Sequence, residues 1–270
     1  MSAADQLLVV IDPVARRIDG ESVRIAKDVL CAGAQAKICW PEGVEEFSRA
    51  LARRGARRLV VVGDDRALLR AVTLLQRERE RDVCGPALAV VPVGTAPLVE
   101  LARSLGVPTG AVAAARAVLD GSPHRLDLLV DDSGGVVLGD LCIPAAPPAV
   151  RAAVPTVWDT CRSLVRTLVR APVPAAVAHR LRVEADGVLL SDLDRPVAGV
   201  SVGSGDGVAH VVVSRGVGVP GVRVRAREVT VSGDGFRYRA GQVVAGPVRT
   251  RTWTAGTWTL TLPSPTPPVA

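Results

Sequence analysis

The chain has 270 residues, 48% of them apolar and 3% aromatic, with 33 Lys and Arg against 27 Asp and Glu for a formal net charge of +6. That length makes one large domain or two modest ones, and that apolar fraction excludes a wholly disordered chain. Only Lys27 and Lys37 are lysine, so the basic balance reads as a coding bias toward arginine; with so few aromatics to stack bases, no nucleic-acid partner is expected.

In the first half strands and helices alternate. Residues 7–11 form a continuous apolar run, as in a strand buried on both faces, and Asp12-Pro13 breaks it. A helix is expected over 23–33, a strand over 36–40 ended by Pro41, and a helix over 44–54 closed by Gly55. Residues 59–62 are a third buried strand running into Gly63. A helix over 67–75 follows and dissolves into the charged run 77–82. A fourth strand, 87–91, leads to Pro92-Val93-Gly94-Thr95, and helices are expected over 99–105 and 111–119. Such alternation implies right-handed crossovers and a parallel sheet with helices on both faces. In such sheets ligands sit at the carboxyl ends of the strands, which directs attention to the loops after Ile11, Val62 and Val91.

After residue 124 the pattern changes. Residues 125–130 and 136–138 read as strands joined by the turn Asp131-Asp132-Ser133-Gly134-Gly135. Residues 156–170 read as one amphipathic helix, with Trp158, Cys161, Leu164, Val165 and Leu168 on one face and Arg162, Arg166 and Arg170 on another. That arginine stripe suits a solvated face or an anionic lipid surface. From 181 onward short alternating strands dominate (181–184, 187–190, 197–202, 208–213, 222–225, 228–231, 236–239, 248–252 and 257–262). Ala185-Asp186-Gly187 and Ser232-Gly233-Asp234-Gly235 are expected as hairpin turns. The expected fold class is α/β + β: an N-terminal three-layer Rossmann-like parallel sheet domain over 1–124, then an antiparallel β-sandwich domain over 125–262, then a Pro-rich tail, 263–270.

Cys31, Cys39, Cys84, Cys142 and Cys161 form no Cys-x-x-Cys pair and lie far in sequence from His124, His179 and His210. Reduced thiols are therefore expected, with no disulfide frame or zinc site. No secretory signal is visible and no apolar stretch reaches the ~20 residues that span a bilayer, so a cytoplasmic location is expected. No Gly-x-Gly-x-x-Gly opens the first helix and no Gly-x-Ser-x-Gly is present, which argues against a dehydrogenase and a serine hydrolase.

Two loops carry the most information. Val62-Gly63-Asp64-Asp65-Arg66-Ala67 and Pro92-Val93-Gly94-Thr95 each lead from a buried strand toward a helix, where backbone N–H groups and the positive helix end favour an anion. Together with Asp12-Pro13, with Ala102-Arg103-Ser104-Leu105-Gly106-Val107-Pro108 and with the distal strands, they resemble the catalytic domain of the diacylglycerol kinases and bacterial lipid kinases over about residues 7–130. The resemblance implies two domains and transfer of the ATP γ-phosphoryl group to a lipid hydroxyl with Mg²⁺, chemistry that depends on positioning and charge neutralisation. It implies nucleotide contacts at Asp12, Gly63, Asp65, Arg66, Gly94 and Thr95. Asp65 would be both the catalytic residue and the surviving metal-linked carboxylate.

The chain departs from the family's Gly-Gly-Asp-Gly-Thr loop at Asp64, Arg66 and Ala67, and has Asp12 for the first-turn Asn. After Thr95 it reads Ala96-Pro97-Leu98-Val99-Glu100 where the family has an Asn-Asp pair, leaving Glu100 as the stand-in for the Asp. Ala240-Gly241-Gln242 stands where the family carries Asp-Gly-Glu, and Gln is no general base. These departures imply weak or absent kinase activity, with ATP and Mg²⁺ as cofactors only if the chain is active. The alternative function is a non-catalytic regulatory or lipid-surface-binding module. A lipid or anionic membrane surface is the expected partner, protein partners are not indicated, and a homodimer is left open.

Overall fold

The structure, a computed structural model, describes residues 6–79, 87–145, 178–216 and 219–263. The expected helix over 156–170, with Arg162, Arg166 and Arg170, lies outside the described residues. By internal contacts the chain divides into two units, Met1–Leu138 with Gly256–Ala270, and Gly139–Ala255.

The first unit is a Rossmann-like α/β layer structure. Its elements in order are β1 (Gln6–Ile11), α1 (Pro13–Ile18), α2 (Gly20–Gly33), β2 (Gln35–Cys39), α3 (Val44–Ala52), β3 (Arg58–Gly63), α4 (Asp65–Arg79), β4 (Leu88–Pro92), α5 (Glu100–Ser104), α6 (Ala111–Asp120), β5 (Ser122–Asp131) and β6 (Val136–Val137). The strands β4-β3-β1-β2 are parallel neighbours. Strand alternation sends successive side chains to opposite faces, and both faces are covered. Leu7, Val9 and Ile11 pack with Val23, Ala26 and Leu30 of α2 and Ala114, Ala115 and Val118 of α6. Leu8 and Val10 pack with Phe47 and Leu51 of α3 and Leu68, Ala71, Val72 and Leu75 of α4.

Local departures from the sequence expectation have clear causes. A helix not foreseen, α1, starts directly after β1, because Asp12 is its N-cap and Pro13 suits its first turn. The division falls after Leu138 and not at 124, because Leu128 of β5 and Leu138 belong to the same core as α3 and α4. The two strands expected over 248–252 and 257–262 are one long strand, β14 (Val243–Leu262). Its last residues return to the first unit, where Leu260 pairs with Leu88.

The second unit is an antiparallel β-sandwich. It contains β7 (Leu141–Ile143), β8 (Leu181–Ala185), β9 (Val188–Ser191), β10 (Gly199–Gly205), β11 (Val208–Ser214), β12 (Val222–Ala226), β13 (Glu228–Ala240) and the first part of β14. One layer runs β12-β11-β10-β7-β13, and β13 also pairs with β8 and β14 in the other. It joins both because its start pairs with β8 and its end with β7. The expected hairpin at Ser232–Gly235 is absent: Val231 and Phe236 both pair with β14, and the register shifts between them. The two glycines there make an irregularity that bends one continuous strand. Among the described residues no helix is long and apolar enough to cross a membrane, and Cys31, Cys39 and Cys142 are free thiols.

Candidate functional site

Parallel register brings the expected loops to one edge of the first unit. Ile11 lies beside Val62 and Gly63 beside Pro92. The Asp12 N–H donates to the Val62 carbonyl at 2.9 Å, and the Val93 N–H donates to the Gly63 carbonyl at 2.9 Å. The turns after β1, β3 and β4 are therefore neighbours at the strands' carboxyl ends.

Asp12 is 2% exposed. Its Oδ2 accepts from the Val14 N–H at 3.0 Å, which caps α1, and its Oδ1 accepts from Arg70 Nη1 at 3.1 Å. The Arg70 guanidinium lies 5.3 Å from the centroid of the Phe47 ring. Gly63 is required by close approach: a Cβ there would stand 2.7 Å from the Ala67 Cβ and 3.0 Å from the Asp12 Cβ. The chain leaves β3 through this narrow point and enters α4 at once.

The start of α4 is held by two buried carboxylates. Asp64 is the N-cap: its Oδ1 accepts from the N–H groups of both Arg66 and Ala67 at 3.0 Å, and its carbonyl accepts from Leu68 at 3.0 Å. Asp65 turns to the next helix instead. Its Oδ2 accepts from the Leu101 N–H at 2.8 Å and its Oδ1 from the Ala102 N–H at 3.0 Å. The side chain of Arg66 is exposed. Gly94 has a φ of +149°, a conformation other residues rarely adopt. Thr95 is exposed, and its carbonyl accepts from Leu98 at 2.8 Å in a 3₁₀ turn, Ala96–Leu98.

Burial pushes the Asp65 carboxyl above its ordinary range, against the two N–H groups that lower it and with smaller upward contributions from Asp64 and Glu100. An acid raised in this way holds its proton more tightly folded than unfolded. Its contribution to stability is most favourable below the ordinary carboxylate pKa and falls as pH rises through the raised folded value. Asp65→Asn is expected to flatten that fall. Urea unfolding across the acid range should show the stability of the variant relative to the wild type increasing with pH, on top of whatever constant offset the changed hydrogen bonds add; a pH-independent difference would refute it.

Of the expected contacts, Asp12, Gly63, Asp65, Arg66, Gly94 and Thr95 all belong to these neighbouring turns. Of Ala240-Gly241-Gln242, in the second unit, Ala240 ends β13 half-buried and Gly241-Gln242 form an exposed turn. Arg70 was not foreseen, since 58 residues separate it from Asp12. The capping role of Asp64 had a sequence signal, an Asp directly ahead of an apolar helical run. Among the described residues no group of three or more His, Cys, Asp or Glu side chains is arranged to hold a metal ion.

The family model for the diacylglycerol kinase catalytic domain matches residues 6–130. A curated relative from Stenotrophomonas maltophilia (strain K279a), named probable lipid kinase YegS-like, is 32% identical over 103 residues, which are 37% of this chain and 32% of the relative. The match thus spans about a third of that relative's length. The crystal structure of a diacylglycerol kinase from Bacillus anthracis str. Sterne superposes with a TM-score of 0.71 at 14% identity, covering 97% of this chain and 98% of that one. Another structure from the same organism gives 0.71 at 16% identity, covering 97% and 99%. At such identities the likeness is one of fold.

Proposed function

We propose that this chain, which belongs to the diacylglycerol kinase catalytic-domain family through residues 6–130, is a member with an obstructed phosphate loop and weak or no transfer of phosphoryl groups from ATP to a lipid hydroxyl. The observation that carries this is the double hydrogen bond from the Arg66 and Ala67 N–H groups to one oxygen of Asp64. Those N–H groups at the start of α4 are the donors a phosphate would use. A carboxylate of the chain already takes them.

A magnesium-bound triphosphate does not fit the residues as arranged. Asp65, the carboxylate expected to hold the metal, has each oxygen accepting a backbone N–H of the α5 turn. Arg70, the cation beside these turns, is already paired with Asp12. A phosphate placed about 5 Å from the Asp64 carboxylate would meet a repulsion on the order of 3 kcal/mol at an effective dielectric near 20. The exposed Arg66 side chain offsets that only if it turns back over its own loop.

Calorimetric titration of ATP, with and without Mg²⁺, tests this directly. The expected result is no heat of binding up to millimolar nucleotide. Micromolar, Mg²⁺-dependent binding, or turnover with a diacylglycerol acceptor, would overturn it and restore an ordinary lipid kinase.

A further inference from the structure

We draw no further inference here: the strongest candidate, the apolar outer edge of β9 in the second unit, where Val188 and Leu189 are 62% and 46% exposed and where β9 pairs among the described residues with β8 alone, carries nothing because no contact or arrangement of charge in the structure shows what covers it.

Discussion

Asp64→Gly is expected to raise the affinity for ATP by about two orders of magnitude, the factor that corresponds to removing roughly 3 kcal/mol of charge repulsion. The substitution also frees the N–H groups of Arg66 and Ala67, which Asp64 now occupies at 3.0 Å each. Its cost to the fold is small, because glycine is nearly as good an N-cap as aspartate, within a few tenths of a kcal/mol. Asp64→Asn separates the two obstacles. It removes the charge but keeps an oxygen able to accept both hydrogen bonds. If repulsion dominates, the Asn variant recovers most of the gain; if occupancy of the N–H groups dominates, it recovers little. Calorimetry of the three proteins reads this out, and a glycine variant as silent as the wild type would place the obstruction elsewhere.

Asp12→Ala is expected to destabilise the first unit by about 4 kcal/mol. About 3 kcal/mol comes from leaving Arg70 beside a buried site without its counter-ion, and about 1 kcal/mol from uncapping α1. Both contributions follow from the geometry: the Asp12 side chain is 3% exposed and that of Arg70 29%, at 3.1 Å, and the second carboxylate oxygen holds the Val14 N–H. Asp12→Asn keeps an acceptor for the cap and loses only the ion pair, so its cost should be clearly smaller. Urea unfolding of D12A, R70A and the double variant measures the coupling. An additive double variant would mean that the two side chains do not stabilise each other.

The α/β portion was legible because its signals are local. Apolar runs at 7–11, 59–62 and 87–91 are long enough for strands and too short for the helices between them, and each is a buried strand. The turn Asp186-Gly187 was legible for the same reason, since its backbone demand is met by the two residues themselves. Ser232-Gly233-Asp234-Gly235 has an equally turn-like composition, yet β13 continues through it with only a shift of register. Pairing of its flanks with β14 overrides the local preference. The first helix, α1, was not foreseen although its cap was in view, because Asp12-Pro13 reads as a strand breaker as readily as it reads as an N-cap followed by an N1 proline.

From the order of residues alone come the alternation of strand and helix and the change to short strands in the second half, and from its resemblance to the family comes the departure of Asp64, Arg66 and Ala67 from two loop glycines and a threonine. The first two follow from near neighbours along the chain, where periodicity and backbone preference act. Which carboxylate holds what was decided in three dimensions. Asp64 closes on its own helix, Asp65 reaches 36 residues ahead to the α5 turn, and Asp12 meets Arg70 across 58 residues. A buried charge must find a donor wherever packing supplies one, and the sheet, by placing three turns side by side, determines which donors those are.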